Sequence, residues 1–107
     1  MQKIDRNEAL AIVRRLNESL RSEGVPVTQI FLFGSFARGN VHEWSDIDVA
    51  VIHEPFLETT GREKARLFDR GKSFDVRIEL LSFRPSDFEN PYSSLAQEVK
   101  QHGLSVD

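Results

Sequence analysis

Phe31-Leu32-Phe33-Gly34-Ser35-Phe36-Ala37-Arg38-Gly39, followed by Ser45-Asp46-Ile47-Asp48-Val49-Ala50-Val51-Ile52, sets two apolar runs either side of a glycine turn. The first run begins at Val27 and is too hydrophobic for a half-exposed strand, so it is predicted to be a central strand buried on both faces. It stops abruptly at Gly34-Ser35, and a short helical turn is expected at once. Glycine lets a backbone approach a ligand closely, and amides freed at such a turn favour an anion such as phosphate. The Ser35 hydroxyl adds a donor at the same place. Arg38, one turn later, suits a phosphate ligand and a donor to the turn itself equally well.

The second run carries Asp46 and Asp48, two apart at the start of a strand, so their side chains share one side while Ile47 and Val49 point to the core. Two converging carboxylates repel unless a cation lies between them. Hard oxygen ligands favour magnesium or manganese over zinc. A third carboxylate, Asp75, is expected at the start of a third strand, Phe74–Leu81, with Asp75, Arg77 and Glu79 on one face. If that strand neighbours the second, Asp75 stands beside the pair, although Arg77 is also an ion-pair partner for it. Three such carboxylates sharing two metals can bind a triphosphate and activate an attacking hydroxyl for in-line displacement.

Two better-known motifs are excluded. Gly34 and Gly39 have P-loop spacing, but Asn40-Val41 stand where Lys and Ser/Thr are required. An EF-hand fails because Asp48 is followed by Val-Ala-Val-Ile and not by further oxygen ligands.

Outward from this centre the chain punctuates itself. Ala9, Leu10, Ile12, Val13, Leu16 and Leu20 recur at helical steps, with Asp5 and Glu8 as a capping pair and Gly24 as the stop. Thr60 and Glu63 have capping-box spacing for a helix through about Arg70, stopped by Gly71, with Ala65, Leu67 and Phe68 inward. Glu63, Lys64, Arg66 and Arg70 are expected on its solvated face. Asn90-Pro91 suits the start of a last helix carrying Tyr92, Leu95, Ala96 and Val99 to Gly103, its apolar stripe partly core and partly available as an interface. The expectation is a single α/β (α+β) domain over residues 1–107, ordered α-β-β-α-β-α, with a small sheet of three or more strands flanked by helices.

Composition narrows the class. The 107 residues hold 14 Lys+Arg against 17 Asp+Glu, a net charge of −3, and no cysteine. Disulfide scaffolds, thiolate metal sites and cysteine nucleophiles are therefore excluded. A slightly acidic chain lacks the footprint of a general nucleic-acid binder. No apolar stretch approaches the roughly 18 residues that cross a bilayer, so no membrane association is expected. The charged opening is unlike a secretory signal, and a cytoplasmic location is expected. His42, His53 and His102 lack metal-ligand spacing and read as surface residues. Trp44 suits packing better than stacking on a base.

Taken together, Gly34-Ser35-Phe36-Ala37-Arg38-Gly39, Ser45-Asp46-Ile47-Asp48 and Phe74-Asp75-Val76 resemble the signature of the DNA polymerase β-type nucleotidyltransferase superfamily. The short length resembles its minimal branch, the MNT domains. The resemblance covers nearly the whole chain in element order, with its diagnostic residues between 34 and 75. It implies a short mixed-direction sheet flanked by helices, with the active site at one sheet face. It implies ATP as substrate, with the triphosphate near Gly34, Ser35 and Arg38. It implies Mg2+, or Mn2+ in its place, on Asp46, Asp48 and Asp75, which are then also the catalytic residues. Many minimal members are encoded beside HEPN-domain proteins as toxin–antitoxin pairs, and some transfer AMP to a tyrosine of the toxin. The implied function is thus antitoxin action by adenylylation of a HEPN-type toxin, in a hetero-oligomer. A non-catalytic antitoxin that masks its partner is one alternative. A small-molecule nucleotidyltransferase is another, although that generally needs an acceptor domain that 107 residues do not supply.

Overall fold

The first strand ends where the sequence places it, and the rest of the sheet is assembled around it. A computed structural model describes residues 4–39 and 45–106. Asn40, Val41, His42 and Trp44 lie outside the described residues. In chain order the elements are α1 (Arg6–Ser22), β1 (Val27–Phe33), α2 (Ser35–Arg38), β2 (Ile47–His53), α3 (Thr60–Phe74), β3 (Ile78–Phe83), α4 (Pro85–Phe88), α5 (Ser94–His102) and β4 (Leu104–Ser105). The sheet order is β3-β2-β1-β4. β1 is antiparallel to both β2 and β4, whereas β2 and β3 run parallel. A parallel pair needs a crossover, and α3 supplies it.

Strand alternation divides the core in two. Ile30, Leu32, Val49, Val51, Ile78 and Leu80 face α1 and α3, where Val13, Leu16, Leu20 and Leu67 close the larger cluster. Phe33, Ala50, Ile52 and Phe83 face the other way, against Phe88 of α4 and Ala96 and Val99 of α5. Each fully buried aliphatic side chain contributes about 1.5–3 kcal/mol, so the large cluster makes α1 and the sheet one rigid body. The capping box at the start of α1 forms as expected, with Asp5 accepting from Glu8 N and Glu8 accepting from Asp5 N. Among the described residues no helix is long and apolar enough to cross a membrane.

Several boundaries differ from expectation, each for a physical reason. β1 is central but not buried throughout: Thr28 and Gln29 are exposed. β4 pairs only with Phe31 and Leu32, and the second cluster is reached only from Phe31 onward. α3 starts one residue early, with Thr59 accepting from Arg62 N, and runs through Gly71 to Phe74. Gly71 is no stop; a Cβ there would lie 2.8 Å from Leu80 Cβ, so the glycine lets helix and strand touch. Leu67 is buried as expected, but Ala65 and Phe68 are exposed. Glu63 is fully buried instead of solvated and binds Arg84, Lys64 donates to Ser82 O, and Arg70 pairs with Glu23. Ser93, not Asn90, caps α5, leaving Tyr92 outside the helix and 93% exposed. His53 is a core residue, its Nε2 against Ser82 Oγ and its Nδ1 on Glu54 O.

Candidate active site

At Gly34 the backbone leaves β1 with φ +71°, in the left-handed half of conformational space that glycine alone enters cheaply. A second constraint acts at the same atom. A Cβ on residue 34 would overlap the Asp48 carboxylate, so the glycine is needed for contact as well as for conformation. The chain then makes one helical turn, closed by Arg38 N to Gly34 O at 3.0 Å and Gly39 N to Ser35 O at 2.9 Å. Gly39, at φ +83°, ends it.

Sheet register builds a row across three strands. Phe33, just before the turn, pairs with Asp48, and Asp48 pairs with Glu79 of β3. Asp48 and Glu79 therefore project on the face that carries α4 and α5. Asp46 stands exposed just before β2, two residues from Asp48. Burial first, then the charges of Glu79 and Asp46, push the Asp48 carboxyl up to about 6; Glu98 adds to the rise and Arg38 opposes it. Arg38 Nη1 lies 3.5 Å from Glu98 Oε1, and the other oxygen of Glu98 is buried with no hydrogen-bond partner among the described residues. Arg38 thus acts on Asp48 while it is paired with Glu98.

The structure does not bring Asp75 to this row. Because α3 runs to Phe74, Asp75 caps that helix and β3 begins only at Ile78. Its carboxylate accepts from Arg77 N, Nε and Nη2 at 2.7–3.0 Å, and those hydrogen bonds hold it below its ordinary range despite partial burial. The carboxylate that stands beside Asp48 is Glu79. A signal for it exists in the sequence: Ile78-Glu79-Leu80 repeats the pattern of Ile47-Asp48-Val49, one acid between two buried aliphatics.

The donor set suits a hard divalent cation. Asp48 has the charges of Asp46 and Glu79 beside it and, among the described residues, only partial compensation from Arg38, while one buried oxygen of Glu98 has no hydrogen-bond partner among them. Among the described residues no three such side chains enclose a metal position by themselves. Magnesium is commonly held by one or two carboxylates together with substrate phosphates and water, so an open row beside a phosphate turn is compatible with it.

The fold thus sets a glycine–serine turn directly against Asp48 of the adjoining antiparallel strand. The chain belongs to the nucleotidyltransferase domain family, which matches residues 13–102. It is 30% identical over 78 residues to the "Probable protein adenylyltransferase MntA" of Haemophilus influenzae, covering 73% of this chain and 65% of that one. It is 28% identical over 108 residues to the protein adenylyltransferase MntA of Shewanella oneidensis, covering 99% of this chain and 67% of that protein. The chain thus spans about two thirds of the length of these relatives. A crystal structure of a toxin–antitoxin MntA–HpeT mutant superposes with a TM-score of 0.62 and 26% identity, over 87% of this chain and 69% of that one.

Proposed function

We propose that this domain transfers AMP from ATP to a hydroxyl of a partner protein, a tyrosine of a HEPN-type toxin, and so acts as its antitoxin. The observation that carries this reading is the row Gly34–Asp48–Glu79, in which the glycine turn lies against a carboxylate that its acidic neighbours leave only partly compensated. The names of the two relatives, both protein adenylyltransferases, and the toxin–antitoxin structure support the acceptor class.

In this reading the Gly34 and Ser35 backbone, the Ser35 hydroxyl and Arg38 seat the triphosphate. Asp46, Asp48 and Glu79 would hold Mg2+, with Mn2+ able to substitute; Glu79 takes the role expected of Asp75. The bound cation supplies charge neutralisation and polarisation of the phosphates. The acceptor oxygen forms a bond to the α-phosphorus as the bond to the pyrophosphate oxygen breaks. Pyrophosphate leaves, and the hydroxyl proton passes to water. Arg38 exchanges Glu98 for phosphate when the nucleotide arrives, since a guanidinium binds phosphate as readily as carboxylate.

The test is transfer of label from α-labelled ATP, with Mg2+, to the protein encoded by the adjacent gene. Label on a tyrosine of that protein, lost in Asp46→Ala, is the expected result. An unlabelled partner, or Asp46→Ala labelling it as well as the parent does, contradicts the proposal. Neutralisation that survives Asp46→Ala points instead to a domain that acts by masking.

A further inference from the structure

Arg6 opens α1, yet its side chain serves α2. Its Nε donates to Phe36 O and its Nη2 to Ala37 O, both at 2.9 Å. These carbonyls belong to the far end of a one-turn helix, and among the described residues the turn is closed by bonds to Gly34 O and Ser35 O. A guanidinium presents several donors in a fixed plane and can satisfy two neighbouring carbonyls at once; an ammonium is a compact point charge on a flexible stem. Gly39 lies under the same group, where an added Cβ would stand 3.5 Å from Nη2.

The arginine is itself held firmly. The capping box formed by Asp5 and Glu8 fixes the backbone on either side of it. One and two turns on, Ala9 and Val13 are fully buried in the larger cluster. The turn carrying Gly34 and Ser35 is therefore tied to the most rigid part of the domain twice, by Phe36, which is buried in that same cluster, and by the Arg6 hydrogen bonds, which fix the carbonyls that packing alone leaves free to turn.

We propose that Arg6 is a positioning residue: by clamping the Phe36 and Ala37 carbonyls to α1 it holds Gly34 and Ser35 against Asp48 in the arrangement that receives the triphosphate. The clamp rests on hydrogen-bond geometry, and its consequence for ligand binding rests on the nucleotidyl-transfer reading above. Misplacing a binding group by a fraction of its contact distance weakens the ligand without unfolding the protein.

The test compares Arg6→Ala and Arg6→Lys with Thr59→Ala, which removes the cap of α3 away from the site. Two quantities are measured on the full chain: MgATP affinity by calorimetry, and amide hydrogen exchange at Arg38 and Gly39. Arg6→Ala weakens MgATP about tenfold and speeds exchange at both amides by about the same factor. Arg6→Lys lies between it and the parent. Thr59→Ala lowers Tm by about 4–8 °C and changes neither quantity. Parent-like exchange and affinity in Arg6→Ala overturn the proposal, as does an equal loss of affinity in Thr59→Ala. If the parent binds no MgATP the nucleotidyl-transfer reading falls, and the exchange rates still decide the clamp.

Discussion

Glu63 and Asp48 are both carboxylates drawn out of water, one under α3 and one beside the glycine turn, and their surroundings treat them in opposite ways. Glu63 accepts from Phe56 N at 2.7 Å, Leu57 N at 2.9 Å, and Arg84 Nε and Nη2 at 2.8 and 3.1 Å. The Arg84 hydrogen bonds, more than the backbone ones, hold its carboxyl down to about 2 against the cost of burial. Asp48 has like charges around it, and the cation that acts on it, Arg38, is already paired with Glu98. Its carboxyl is pushed up to about 6. Burying a charge is costly unless it is compensated. Where compensation is complete, the group belongs to the architecture. Where compensation is incomplete, a further partner is expected from outside, and carboxylates with raised pKa values mark such places.

The largest effect that separates the two is on chemistry. Asp48→Asn is expected to cut nucleotidyl transfer by about a thousandfold or more, measured as initial rate with saturating ATP, because it removes a charge the reaction uses. Next is stability. Glu63→Ala leaves the Arg84 charge unpaired and two amides without an acceptor, at a cost of about 3–5 kcal/mol in urea unfolding. The MgATP affinity of its folded fraction stays at the parent's value. If that affinity falls with stability, the two regions are not separable in the way described.

The smallest effect, and the most diagnostic, is in pH. Glu63 has a folded pKa of about 2, below its ordinary 4.5, so its stabilisation is fully present above 4.5 and is lost as pH falls toward 2. Asp48 has a folded pKa of about 6, above its ordinary 3.8, so its penalty is absent below 3.8, grows as pH rises, and is complete above 6. In metal-free buffer Asp48→Asn is therefore more stable than the parent at pH 7.5, by about 1–2 kcal/mol after allowance for solvent screening. The gap closes near pH 4. A gap of the same size at both pH values would assign the effect to packing instead of charge.

The glycine turn and the Asp46-Asp48 strand were legible because both signals are local. A glycine between an apolar run and a serine, and two acids at spacing two before aliphatics, need no knowledge of what packs against them. The third carboxylate depended on where α3 ends, and that was set by a tertiary contact. Gly71 looks like a helix stop, yet it is selected by the closeness of Leu80, so the helix continues and displaces the strand start from Phe74 to Ile78. That shift moves Asp75 onto Arg77 and leaves Glu79 beside Asp48. Glu63 departs from expectation for a related reason. Its capping-box spacing with Thr60 is not used, because Thr59 caps the helix, and Arg84, more than twenty residues away, supplies the bond that buries it. β4 is two residues long and carries no pattern of its own.

The central claim is that Asp48 is left uncompensated in order to meet a cation with its nucleotide. The most direct measurement is the melting temperature of the parent and of Asp48→Asn at pH 7.5, each with and without saturating Mg2+ and ATP. Without ligand the variant should melt higher. With MgATP at about a hundred times its Kd the parent should gain about 2.7 kcal/mol and overtake it, while the variant gains little. An equal gain in both proteins, or none in the parent, would contradict the account.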